Sequence, residues 1–202
     1  MGYRDGRVVQ GFDPVVGDDA GVIILGTLPG GESLRLRQYY ADGRNAFWFV
    51  VEALFAIRSK IYDQRTQGLI QNRIAIWDVL ERAERNGSQD HKIVRGTEVP
   101  NDFTEFFRHH PSIRTVFFNG APAEKYFRDL VLPHLSLGGG NPLLHPALPS
   151  TSGGNTHSTR EEKINGWRAV QRALTAFGTG IRRRNAARLA RSRLSGRLGA
   201  SY

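Results

Sequence analysis

The sequence predicts an α/β fold, a three-layer α/β/α sandwich around a central, mostly parallel four-stranded sheet. Three short apolar runs, 22–25 (Val-Ile-Ile-Leu), 74–77 (Ile-Ala-Ile-Trp) and 115–118 (Thr-Val-Phe-Phe), have the length and the β-branched and aromatic content of buried strands. Segments with helical spacing separate them, and strands alternating with helices build a parallel sheet covered on both faces. A chain of 202 residues holds a core large enough for one such domain.

The elements follow in order. After the first strand and its loop, residues 46–57 place Phe47, Val50, Val51, Leu54 and Phe55 on one helical face. Residues 58–72 read as a short helix and a connector. The second strand ends at Asp78, and the polar segment 83–98 reads as an excursion over the strand edge. Asn101 and Asp102 can cap a short helix over 103–109 that stops at Pro111. The third strand runs into Asn119-Gly120 and a helix over about 122–131, and a last strand lies within 141–147 despite two prolines. Residues 148–155 (Leu-Pro-Ser-Thr-Ser-Gly-Gly-Asn) are a loop by composition. Thr159 and Glu162 form a capping box for a closing helix to about Phe177, with Trp167, Val170 and Leu174 buried. Three loops (26–45, Asp78 onward and 148–155) thereby converge on the carboxyl edge of the sheet, where ligands bind in open α/β folds.

Composition narrows the chemistry. Without cysteine there is no disulfide, thiolate nucleophile or cysteine-held metal, and the six histidines show no HExxH-type spacing, so neither a metal nor a cofactor is expected. The start lacks the long apolar core of a signal peptide and no apolar run approaches the roughly 20 residues of a membrane span. The expectation is a cytoplasmic monomer with no membrane partner. The net charge of +9 is unevenly placed: residues 178–202 hold seven arginines, Arg182, Arg183 and Arg184 among them, and no acid. This divides the chain into a domain over 1–177 and a basic tail over 178–202, disordered or helical on a polyanion. The tail either contacts nucleic-acid phosphates or keeps the chain soluble.

Residues 26–48 (GTLPGGESLRLRQYYADGRNAFW) are the most informative stretch. A dinucleotide fingerprint needs glycine where Leu28 stands, and a phosphate loop needs a terminal Gly-Lys-Ser or Gly-Lys-Thr, which is absent. What remains is a tight turn at Pro29-Gly30-Gly31 beside aromatic faces and carboxamides, a combination suited to a flat, uncharged ring.

Gly26-Thr-Leu-Pro-Gly30, Gln38-Tyr-Tyr and Arg44-Asn-Ala-Phe-Trp48 resemble the first motif region of the uracil-DNA glycosylase superfamily. Trp77-Asp78, Phe118-Asn119-Gly120-Ala121 and Leu148-Pro-Ser-Thr-Ser152 are more similar to its hypoxanthine-DNA glycosylase branch. The resemblance spans roughly residues 8–177. It implies an enzyme that cuts the N-glycosidic bond of a deaminated base in DNA, hypoxanthine first and uracil or xanthine after it, in base excision repair. Leu28 stands where the mismatch-specific uracil glycosylases carry a catalytic asparagine. In the hypoxanthine branch that role falls to the asparagine of the Arg-Asn-Ala-Phe-Trp run, here Asn45. A second departure is Gly153-Gly154, where that branch has Pro-Ala.

The resemblance also places Tyr40 as the aromatic that stacks on an extruded base, with Gly26, Leu28 and Asn119 lining the base pocket. Asn45 could instead cap the following helix, and Tyr39 and Tyr40 could simply pack. Asp78, at the end of a buried strand, suits an ionised acceptor for the N1–H of hypoxanthine that would repel the N1 lone pair of adenine; its alternative is a turn cap. Leu148, Pro149, Ser150, Thr151 and Ser152 form a DNA-facing loop, with Leu148 as the candidate side chain to fill the vacated stack. Two other readings remain: a non-catalytic module binding damaged DNA, and an enzyme acting on free nucleosides.

Overall fold

A computed structural model describes residues 7–138 and 140–177. Its centre is a four-stranded sheet built from β2 (Val22–Gly26), β3 (Ile74–Asp78), β6 (Thr115–Phe118) and β7 (Leu143–Leu144), in the order β3-β2-β6-β7. All three pairings are parallel. The first three strands are buried at every residue, because helices cover both faces and leave no polar side to alternate with. The last predicted strand exists but is only two residues long.

Leu25 lies in register with Trp77 and Phe118, so these three point to one face of the sheet. There Trp77 meets α4 (Phe103–His109) through ring contacts with Phe103 and Phe106, and Phe118 meets Phe127 just beyond α5 (Ala121–Tyr126). Asp102 caps α4 by accepting from the Glu105 N–H, as its position predicts. After α5 the chain makes a π-helical turn over Phe127–Val131 rather than continuing the predicted helix unbroken. A second helical group consists of α2 (Phe47–Phe55), α3 (Tyr62–Gln71) and α6, residues 160–177. Trp167 of α6 is fully buried against Phe47 of α2, and Gln171 donates to the Leu54 carbonyl. The Thr159–Glu162 capping box forms as predicted, with each residue accepting from the other's backbone N–H.

Two segments differ from expectation. Residues read as loop after Pro29 hold a short α1 (Gly31–Leu36), stabilised by the Glu32–Arg35 pair on one helical turn. The polar excursion after Asp78 is folded: β1 (Arg7–Gln10), β4 (Leu80–Arg85) and β5 (Val99–Pro100) form a separate antiparallel sheet, in the order β1-β4-β5. The strand β4 reads Leu-Glu-Arg-Ala-Glu-Arg, its register slips between Leu80 and Arg82, and it buries Arg85; charge and irregularity hide a strand from hydropathy. This small sheet continues directly from β3 and carries residues 86–90 back over the carboxyl edge of the main sheet.

Candidate active site

At that edge lies a cleft of about 690 Å³, within the range of roughly 300–1,000 Å³ common to small-molecule sites. Its walls come from residues 26–33, 39–40, 42–45, Asp78, 88–90, Asn119, Ser150 and 152–154. All three loops that the sequence placed at this edge contribute, the second through Asp78 and residues 88–90 of the excursion that follows it.

The floor is set by strand register. Gly26 pairs with Asp78 across β2 and β3, and a Cβ on Gly26 would collide with Asp78 Oδ1 and lie 3.4 Å from the Tyr40 hydroxyl. Glycine is therefore required for the Asp78 carboxyl to lie where it does. Asp78 is 4 % exposed, and its Oδ2 has no hydrogen-bond partner among the described residues. Burial, reinforced by the Asp90 carboxylate and opposed by Arg85, pushes its pKa up to about 8. This works against the ionised N1–H acceptor expected from the sequence. The cause is desolvation at the end of a strand buried on both sides.

Asp90 and Arg85 are functional-site residues that the sequence did not disclose. Arg85 is 2 % exposed, and it donates to the carbonyls of Pro29 and Gly87 while its Nη1 finds no partner among the described residues. It thus ties the 26–31 loop to the 86–90 loop. Ser88 packs so closely on Gly31 that a Cβ there would approach its Oγ to 2.7 Å. Burial also raises the pKa of Asp90, against the favourable influence of Thr27, Arg85 and His91. Two carboxyl groups and one guanidinium therefore share a poorly solvated corner.

Tyr40 adopts a left-handed backbone (φ 55°), and its ring stacks on Phe47 at 3.8 Å and 12°. One ring face is occupied by this packing while the residue still lines the cleft. Its buried hydroxyl has no hydrogen-bond partner of good geometry among the described residues; burial and the Asp78 charge hold its proton on, against a smaller opposing influence of Asn119. Tyr39, its neighbour, is a packing residue, with its hydroxyl on the carbonyls of Phe12 and Asp13. Leu28 lines the cleft at 6 % exposure and is also part of the core.

Asn45 is half-buried on the opposite wall, and its Oδ1 accepts the Phe47 N–H at 2.9 Å. It does cap α2, although the cap position itself is Ala46, and this bond fixes the plane of the carboxamide. Its Nδ2 has no hydrogen-bond partner among the described residues, and the residue lines the cleft.

The 148–155 loop departs most from expectation. Leu148 is 3 % exposed because it extends the sheet, bridging Asn119 in parallel fashion; it is core and cannot enter a DNA stack. Thr151 is fully buried, and its N–H and hydroxyl are both bound by Asn119, at 2.8 and 2.7 Å, so it faces the protein and not DNA. Asn119 is accordingly the brace of this loop as well as a cleft residue. Pro149 is braced from behind, its carbonyl accepting from Trp167 Nε1 at 2.9 Å. Ser150 and Ser152 line the cleft, as do Gly153 and Gly154. Gly153 packs on Arg44 so tightly that a Cβ would lie 2.8 Å from that of Arg44, whose side chain is 84 % exposed beside Asp42. Arg182, Arg183 and Arg184 lie outside the described residues. No group of histidine, aspartate and glutamate suited to a metal occurs among the described residues, and no helix there is long and apolar enough to cross a membrane.

Comparison with known proteins gives this geometry a family. No family model matches the chain. A protein named hypoxanthine DNA glycosylase from Methanosarcina acetivorans is 34 % identical over 173 residues, covering 82 % of this chain and 99 % of its own length. Its namesake from Methanosarcina barkeri is 34 % identical over 160 residues, covering 78 % and 94 %. A solution structure from Methanosarcina acetivorans, named provisionally as a uracil DNA glycosylase, superposes with a TM-score of 0.67 at 32 % identity, covering 84 % of this chain and 99 % of that one. In sequence and in fold, the chain belongs to the hypoxanthine-DNA glycosylase branch of the uracil-DNA glycosylase superfamily.

Proposed function

We propose that this protein is a monofunctional DNA glycosylase that removes hypoxanthine from DNA, with uracil and xanthine as poorer substrates. The observation that carries the reading is the convergence of Tyr40, Asn45 and Asp78 on one cleft at the carboxyl edge of the sheet. A base in a duplex is out of reach and must be extruded to be cut. The extruded base stacks on the face of Tyr40 turned away from Phe47. Asn45, its carboxamide plane held by α2, positions water toward C1′ and sets its carbonyl dipole near the cationic sugar of the transition state. No lysine lines the cleft among the described residues, which favours hydrolysis over Schiff-base chemistry. The protein acts as a monomer without cofactor.

The test is incubation of the purified protein with duplexes containing inosine, uracil, xanthosine or no lesion, followed by alkaline cleavage of abasic sites. Fastest excision at inosine is expected; tight lesion binding without excision would instead identify a binding module. Tyr40→Ala should lower inosine excision at least tenfold, since stacking of a base on an aromatic ring is worth about 1–3 kcal/mol. An unchanged single-turnover rate would remove Tyr40 from base recognition.

Ser150 and Ser152, which line the cleft, hold the DNA backbone beside it, and exposed Arg44 offers a further phosphate contact. The seven arginines of residues 178–202 add sequence-independent attraction. Truncation after Phe177 should therefore flatten the dependence of DNA binding on salt while leaving single-turnover excision within about twofold. Equal salt slopes for the two proteins would assign the tail no part in DNA contact.

A further inference from the structure

We propose that Asp78 is the acid that hands a proton to the departing base. The proposal rests on the glycosylase reading and adds a step to it, since Asn45 serves the sugar and the water and leaves the base without a proton donor.

The geometry comes first. Asp78 lies at the cleft floor with one carboxyl oxygen wedged against the backbone of Gly26 and the other, Oδ2, buried without a partner among the described residues. A buried carboxyl oxygen with no internal partner is costly unless something outside the protein completes it. The groups facing it come from three places: Arg85 on β4, Asp90 on the turn beyond it, and the phenols of Tyr39 and Tyr40 on the loop before α2. Arg85 gives its Nε and Nη2 to the carbonyls of Gly87 and Pro29, with Nη1 unpartnered among the described residues, and the nearby Asp90 discourages a second negative charge. The surroundings thus keep a proton on Asp78 up to about pH 8, which is the state a general acid needs at neutral pH.

In the step itself the C1′–N9 bond breaks and its electron pair remains on the purine. The Oδ2 proton of Asp78 passes to the purine ring, which leaves as neutral hypoxanthine. The water held by Asn45 forms the C1′–O bond and loses its surplus proton to solvent. Asp78, now a carboxylate, regains a proton from solvent once the base has gone. No other reactant is required.

The experiment is single-turnover excision from an inosine duplex between about pH 6 and 10 for the wild type, Asp78→Asn and Asp90→Asn. The wild-type rate is expected to fall tenfold per pH unit above about pH 8. Asp78→Asn should be at least tenfold slower at pH 7 and lose that falling limb. Asp90→Asn should keep the limb and move it to lower pH, because the carboxylate that holds the Asp78 proton in place is gone. A purely structural role for Asp78 would move neither limb. Melting temperatures supply an activity-independent readout. The folded carboxyl binds its proton more tightly than the unfolded one, so ionisation costs stability progressively from the ordinary carboxylate range up to about pH 8. Asp78→Asn should therefore gain on the wild type between pH 5 and pH 8.5, read from about one melting scan at each pH. Wild-type excision with a flat profile across pH 8, or a limb that survives in Asp78→Asn, overturns the acid role and leaves the glycosylase reading intact. Failure of the wild type to release base at any pH overturns both.

Discussion

Asn45→Ala is expected to lower single-turnover excision of inosine by about a thousandfold, the loss seen when one preorganised polar group is removed from a developing transition-state charge. The same substitution removes the bond from the Phe47 N–H to Oδ1, and a lost helix cap costs about 1 kcal/mol. The two effects are separable because they differ in size and in readout: the melting temperature should drop modestly while the rate nearly vanishes. Asn45→Asp keeps an acceptor for the Phe47 N–H and so restores the cap. It separates the oxygen's contribution from that of the Nδ2 protons. An alanine variant that cuts at the wild-type rate would reduce Asn45 to a helix cap.

Gly26→Ala carries the second large expected effect, about a hundredfold in excision. The added methyl would collide with Asp78 Oδ1 and touch the Tyr40 hydroxyl at 3.4 Å, so the carboxyl must move. It has little room to do so, since Asp78 is buried and the neighbouring Tyr40 is clamped by Phe47. Overpacking a buried site costs roughly 1–3 kcal/mol, which the domain should survive folded. Circular dichroism and a melt would establish the fold, and single-turnover kinetics would read the loss. Wild-type kinetics in this variant would mean that the position of Asp78 is not critical.

The three main strands were legible because each is an unbroken apolar run, and helices on both faces demand that pattern. The position of the cleft followed from them, since parallel strands with alternating helices gather their loops at one edge. Tyr40, Asn45 and Asp78 were legible as cleft residues for the same reason, helped by motifs with family resemblance. The antiparallel sheet was not legible: β4 is mostly charged, slips in register and buries an arginine, each against the usual strand signal. Arg85 and Asp90 were lost with it, because only the fold of that hairpin brings them over Asp78. Leu148 and Thr151 looked like exposed loop by composition, yet pairing beside Asn119 draws both inside. The protonation of Asp78 depends on three-dimensional burial and on Asp90, neither of which a linear motif records.

The most direct measurement is the amount of free hypoxanthine released from an inosine duplex by a stoichiometric excess of the wild-type protein, set against the abasic sites formed. One free base per abasic site, with the strand left unbroken until alkali is added, is the predicted result. Inosine duplex recovered intact, with no free hypoxanthine, would contradict it.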